Sequence, residues 1–207
     1  LTKTLLLLLS ACALANAQRF EVSLFGGINR PSENDLGSVD QTEPQDDDVR
    51  FIRTQPGYGL RLTWNTRGYY GSELTYTQTR ALLQTIVRGE EATTVYQDWL
   101  RIHQASYNFL IYFMPSGERW RPFITGGIHA TQYPQPNVAE WPTGNSRNWG
   151  FNYGGGLKIN LFRHAMARLD VRQYLNGKPY DLSFEDLTRT GGRLKHFEAT
   201  VGLGITF

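Results

Sequence analysis

The last twelve residues constrain this chain more than any other stretch. From His196 to Phe207, the residues Phe197, Ala199, Val201, Leu203, Ile205 and Phe207 alternate with His196, Glu198, Thr200, Gly202, Gly204 and Thr206. Successive side chains of a strand point to opposite faces. A strict period of two over this length therefore specifies a β-strand with one apolar face and one polar or small face.

The pattern recurs upstream. In a first segment Phe20, Val22, Leu24 and Ile28 share one face and Glu21 and Ser23 the other. A second sets Tyr58, Leu60, Leu62 and Trp64 against Gly59, Arg61 and Thr63, and turns over Asn65 to Gly68. The chain returns through Tyr70, Leu74 and Tyr76 against Gly71, Glu73 and Thr75, a tight hairpin. A fourth places Ala105, Tyr107, Phe109, Ile111 and Phe113 opposite Gln104, Ser106, Asn108 and Tyr112, and ends at Pro115 to Glu118. A fifth places Ile124, Gly126, Ile128 and Ala130 opposite Phe123, Thr125, Gly127 and His129. A sixth sets Phe151, Tyr153, Leu157, Ile159 and Leu161 against Asn152, Gly154, Gly156, Lys158 and Asn160. After a turn at Phe162 to His164, the seventh sets Ala167, Leu169 and Val171 against Arg168, Asp170 and Arg172.

With the terminal segment these make eight strands, provided 79–99 extends the third and fourth around Arg88-Gly89. A separate hairpin there would make ten. The turns at Asn65, Pro115 and Arg163 are short, whereas the connections at 29–55, 84–95, 131–148 and 175–193 are longer and polar. Transmembrane barrels have this asymmetry, and an even strand count returns both ends to the short-turn side. The expected fold is all-β: an eight-stranded antiparallel barrel in an up-and-down meander.

Period two alone does not say which face meets which solvent, since a lipocalin-like soluble barrel alternates too. Here the polar face carries Glu21, Arg61, Glu73, Lys158, Arg168, Asp170, Arg172 and Glu198, several from mid-strand. The apolar face carries rings near the strand ends: Phe20, Tyr58, Trp64, Tyr70, Tyr76, Phe113, Tyr153 and Phe207. An eight-stranded interior has little room for so many rings, whereas membrane barrels wear them as girdles. Glycines on the polar face, among them Gly127, Gly154 and Gly156, leave space for long charged side chains. We therefore place charge inside and lipid outside, with a soluble carrier as the alternative. The interior charges must then neutralise one another. The expected structural network is Arg61, Glu73, Lys158, Arg168, Asp170, Arg172 and Glu198, a charge-lined conduction path being the alternative.

The chain opens with Lys3, an apolar run from Leu5 to Leu14, and Ala15-Asn16-Ala17 before Gln18. This is the pattern of a secretory signal, expected to span 1–17 and to be cleaved after Ala17, leaving a barrel domain over 18–207. Leu9-Ser10-Ala11-Cys12 also fits a lipobox, so lipoprotein processing at Cys12 stays open. Cys12 is the only cysteine, so the barrel has no disulfide or cysteine metal site to call on. No later window reaches the roughly 18 apolar residues of a helical span. Lys+Arg 21 against Asp+Glu 19 gives no basic field for nucleic acid.

Arg121 to Ile128, Asn152 to Leu157, Arg168 to Arg172 and Val201 to Phe207 together resemble the outer-membrane β-barrel domains of the OmpA- and OmpX-like, porin-like or opacity-type proteins. The resemblance spans Arg19 to Phe207. It implies a bacterial outer-membrane location, neighbouring outer-membrane lipid and lipopolysaccharide, and a terminal Phe207 read by the outer-membrane assembly machinery. With nothing following Phe207, no cell-wall tether is expected. The family includes adhesins, structural anchors and a few enzymes, so the resemblance is weak for function.

The residues themselves offer little chemistry. His103, His129, His164 and His196 are spread over different strands and a turn, with His129 and His196 facing inward, and nothing in their spacing demands a metal. Lipid-modifying enzymes on such barrels imply a Ser/His/acid set; here Ser106 and His103 fall on opposite faces and no His-x-Ser pair occurs. The acidic run Glu33, Asp35, Asp40, Glu43 and Asp46 to Asp48 lacks EF-hand spacing and reads as solvated charge. The loop from Tyr133 to Pro142, rich in Pro and rings, either binds a partner or packs over the barrel mouth. The expectation is a non-enzymatic barrel without cofactor, serving envelope structure or surface interaction through its loops. A lipid-modifying enzyme and a narrow channel are the alternatives.

Overall fold

The computed structural model describes residues 19–31, 36–39, 48–51, 55–66, 68–88, 93–138, 141, 144–177, 179–180, 182 and 194–207. The expected signal, with Ala15, Ala17 and Cys12, lies outside these residues, as do the acidic residues from Glu33 to Asp47. The strands are β1 (Arg19–Pro31), β2 (Val49–Phe51), β3 (Gln55–Asn65), β4 (Tyr70–Arg88) and β5 (Thr93–Tyr112), followed by β6 (Trp120–Tyr133), β7 (Ser146–Asn160), β8 (Ala165–Asn176) and β9 (Lys195–Thr206). There is no helix among the described residues.

Eight of these strands close into an antiparallel barrel. Each pairs with its neighbours in sequence, β4 with β5 across 70–111, and β1 with β9 to seal the ring. The seal continues through the amide of Phe207, which donates to Phe20 O at 2.8 Å. Register is staggered around the ring. A walk from Glu21 through Thr63, Glu73, Asn108, Gly127, Asn152, Tyr174 and His196 returns to β1 at Pro31, ten residues further along. This displacement sets the strand tilt, roughly 35–45° in such barrels.

The turns at the short end are tight. Gly68 and Gly117 both have positive φ, 102° and 107°, a conformation that costs glycine nothing. At the other end the barrel differs from expectation in two places. The 79–99 stretch does extend the third and fourth strands, and it does so nearly to its tip: β4 ends at Arg88 and β5 begins at Thr93. The expected loop over 84–95 is thus a projecting two-stranded hairpin. The first connection in turn contains β2, which pairs with that hairpin through Val49↔Thr85 and Phe51↔Leu83. Val and Phe alternate there about a single arginine, too short a run to stand out as a strand.

Outward faces are apolar and exposed, including Leu24, Ile124, Phe151 and Leu203, while Arg61, Glu73, Lys158, Arg168, Asp170 and Arg172 are buried inside. In a soluble protein that distribution would expose a continuous apolar surface to water; around a closed barrel, with every interior strand edge paired, it matches hydrocarbon. Outward rings occupy both ends of the band: Phe20, Trp64, Tyr70, Phe113, Trp120 and Phe207 below, Tyr58, Tyr76, Trp149 and Phe197 above. Tyr153 faces outward as expected but sits mid-strand on β7, so it belongs to the band rather than to a girdle.

Candidate functional site

Any function of such a barrel resides in its lumen or at its mouth. The lumen is occupied from bottom to top. At the short-turn end the Lys158 ammonium donates to the Glu21 carboxylate and to Tyr112 Oη, the latter at 2.5 Å. Asn65 Nδ2 donates to the other Glu21 oxygen at 2.7 Å. Arg121 lies over the Tyr112 ring, 3.9 Å from its centroid, and donates to the Met114 and Gly68 carbonyls.

One layer higher is a four-residue cluster. Arg168, Asp170 and Arg172 alternate along the inward face of β8, so a single strand supplies positive, negative, positive at a spacing of two. Arg172 donates to Asp170 and to Glu73, both at 2.7 Å, and Arg168 donates to the same two carboxylates. Thr63 and Thr75 each donate to Glu73 at 3.1 Å. Two carboxylates face two guanidiniums, and all four are fully buried, so the charges balance within the protein itself. Arg61 sits beside this cluster, 3.8 Å above the Phe25 ring, donating to Thr200 Oγ1 at 2.8 Å and standing 3.9 Å from Glu198.

The seven residues expected to form one network therefore divide into three groups. Glu73, Arg168, Asp170 and Arg172 come together; Arg61 and Glu198 form a looser pair; Lys158 pairs across the lumen with Glu21, a residue the expected network omitted. Arg61 and Glu73 lie on the adjacent strands β3 and β4, offset by two residues in register, since Arg61 lies opposite Thr75 and Glu73 opposite Thr63. The ten-residue stagger of the ring decides these partnerships, and period two within single strands carries no record of it.

Above the charges lies a layer of rings. His196 stacks on Tyr174 with centroids 4.6 Å apart, and His129 meets the same ring edge-on. Asn176 bridges them, contacting His129 Nε2 and His196 Nδ1 while donating to Tyr133 Oη at 3.0 Å. Both histidines thus face inward, held by an amide and a phenol rather than by a carboxylate. No group of three His, Cys, Asp or Glu side chains converges among the described residues. Ser106 is buried in the lumen while His103 faces outward, where its Nδ1 lies 2.7 Å from Tyr76 Oη.

The mouth is closed by an apolar cap to which all four long-end connections contribute. Leu36, Val49 and Phe51 come from the first, Ala81, Leu83 and Leu100 from the projecting hairpin, Tyr133, Val138 and Trp141 from the third, and Tyr180, Leu182 and Leu194 from the fourth. Trp141 meets Tyr180 edge-on at 5.0 Å, and Tyr180 donates to Pro134 O at 2.5 Å. Burial in this cluster pushes the Tyr180 phenol above its ordinary pKa. Asp48, the last of the acidic run, is buried and accepts from Ser38 Oγ at 2.5 Å, so it ties the first connection down rather than facing water. Between the cap and the ring layer lies a cavity of about 30 Å³ lined by Thr77, Thr79, Gln104, Thr131 and His196, among others, room for one or two waters.

Of the two readings of the Tyr133 to Pro142 loop, packing over the mouth is the one seen for Tyr133, Val138 and Trp141, whereas the share of the other connections in the cap was missed, although a signal for it exists. The inward face of β4 reads Glu73, Thr75, Thr77, Thr79 and then Ala81, Leu83 on the same parity. The change from polar to apolar on a face already assigned to the interior marks where the lumen ends and the cap begins.

The comparisons agree with this architecture. A family model described as the outer membrane protein beta-barrel domain matches residues 3–207. No curated relative matches the sequence. Among solved structures, the N-terminal β-barrel domain of Pseudomonas aeruginosa OprF is 16% identical with a TM-score of 0.54, covering 91% of this chain and 97% of its own. OprG of the same organism is 13% identical with a TM-score of 0.58, covering 92% and 96%. Neisserial surface protein A is 12% identical with a TM-score of 0.56, covering 91% and 97%. At such identities these likenesses speak for the fold alone, a barrel of the bacterial outer membrane. The family match extends over almost the whole chain, and with the apolar band outside and the paired charges inside it has one reading: the chain belongs to the outer membrane protein β-barrel domain family.

Proposed function

We propose that this outer-membrane barrel works through its surface rather than through its lumen, as an envelope-structural or surface-interaction protein without catalytic activity. The observation that carries the reading is the occupied interior: balanced ion pairs, a ring layer and an apolar cap follow one another along the axis. A conduction path needs water-filled space, and barrels of this size are filled by their own side chains. Opening one here would mean breaking buried ion pairs, at several kcal/mol each. What remains accessible is the rim, the projecting hairpin and the outer side of the capped connections.

The test is single-channel recording after insertion into planar bilayers. The expected result is no stepwise conductance; reproducible steps would favour the narrow channel instead. The acyl-chain pattern of lipopolysaccharide in cells expressing the protein is expected to stay unchanged, and an altered pattern would assign it an enzymatic role.

A further inference from the structure

The outward face of β4 to β7 carries a built groove. Register stacks three rows across these strands. The lowest is Leu74, Tyr107, Ile128 and Phe151; the next is Tyr76, Ala105, Ala130 and Trp149; the third is Gln78, His103, Gln132 and Arg147. In the middle row two alanines lie side by side between Tyr76 and Trp149, so the band dips where its neighbours are rings. The dip has a volume of about 370 Å³, the scale of a small-molecule site. It runs upward without interruption: a second depression of about 260 Å³ shares Tyr76, Ala105, Ala130 and Trp149 and adds His103 and Arg147. A third, of about 380 Å³, shares His103 and Gln132 and adds Arg101.

Charge changes along the groove. Its floor is apolar, and its top is basic. Arg80 and Arg101 are exposed and lie directly opposite each other, an arrangement that disfavours itself unless an anion joins it. Among the described residues neither they nor Arg147 has a carboxylate partner. Asp98, the one carboxylate among the described residues lining the upper end, accepts from the Asn137 amide at 2.7 Å. His103 adds a polar group at the same level, because Tyr76 Oη engages its Nδ1 at 2.7 Å and leaves Nε2 for a further hydrogen bond.

We propose that this groove binds one phosphate-bearing lipid of the outer leaflet, with an acyl chain over Ala105 and Ala130 and the phosphate held by Arg101, Arg147 and His103. Guanidinium forks match phosphate oxygens, and a chain lying between Tyr76 and Trp149 meets rings at the depth where the leaflet changes from hydrocarbon to headgroup. The placement follows from charge complementarity and from the continuity of the groove. It depends on the outer-membrane location and not on the surface role proposed above, so either can fail alone.

The test uses the full chain in neutral detergent, titrated with monophosphorylated lipid A and with its dephosphorylated counterpart and followed by native mass spectrometry. The phosphorylated lipid is expected to bind one per barrel, about tenfold more tightly. R101Q/R147Q, at exposed positions with no carboxylate partner among the described residues, is expected to abolish that preference while still binding weakly. A105L/A130L is expected to weaken both lipids alike. Heat-modifiable migration on a gel verifies that each variant is folded. Equal affinity of the wild type for the two lipids, or an undiminished preference in R101Q/R147Q, overturns the proposal. Unchanged binding by A105L/A130L overturns the placement of the chain.

Discussion

At the scale of single residues, the barrel depends on how completely each buried charge is answered. Glu73 accepts from both Arg168 and Arg172 and from two threonines, so replacing it leaves two buried guanidiniums sharing the single carboxylate of Asp170. Glu73→Gln is expected to destabilise the folded barrel by about 3–5 kcal/mol, measured by urea unfolding in lipid vesicles. Glu198→Gln should cost clearly less, because Arg61 keeps its hydrogen bond to Thr200 and its seat on Phe25. Comparing the two variants tests whether the division into tight cluster and loose pair is real. Space matters beside charge. A Cβ on Gly156 would come within 2.2 Å of the Leu169 carbonyl oxygen on the neighbouring strand and 2.6 Å of Phe123 Cζ, and Phe123 supports Arg168 at 4.4 Å. Gly156→Ala is therefore expected to cost about 3 kcal/mol by forcing β7 and β8 apart and displacing the ring beneath the cluster, visible in the same unfolding measurement.

At the scale of elements, the cap and the charge layers are separable. Trp141 and Leu194 belong to the apolar cap, and the buried ion pairs form separate groups beneath it. Trp141→Ala is expected to loosen the third and fourth connections by about 3 kcal/mol, read as faster hydrogen exchange and easier proteolysis there. Strand residues near Glu73 should keep their protection. The strands themselves were legible because each repeats one rule along its length; β8 announces Arg168, Asp170 and Arg172 on one face without any knowledge of its neighbours. Their partners were not legible in the same way. That Lys158 finds Glu21 depends on which strands close the ring and on how far the register shifts around it. The cap was obscured for another reason: Leu36, Tyr180 and Leu182 are isolated apolar residues in polar stretches, and only their convergence from separate connections makes them a core.

For the whole molecule, the same separation yields a prediction about closure. Because the paired charges lie beneath the cap, removing the cap does not open a path. A Trp141→Ala/Leu194→Ala variant is expected to remain non-conducting in planar bilayers, and conductance appearing in it would show that the cap alone had been the seal.

The seam between β1 and β9 has a further consequence. A ring differs from a row in that it has no expendable link. Were β9 missing, β1 and β8 would both become bare edges, and in hydrocarbon every unpaired amide along them lacks even water as a substitute. Deleting 196–207 should therefore cost far more than a proportionate share of the stability. The variant is expected to leave no heat-modifiable species at all, since an almost complete circle offers the membrane nothing it can accept.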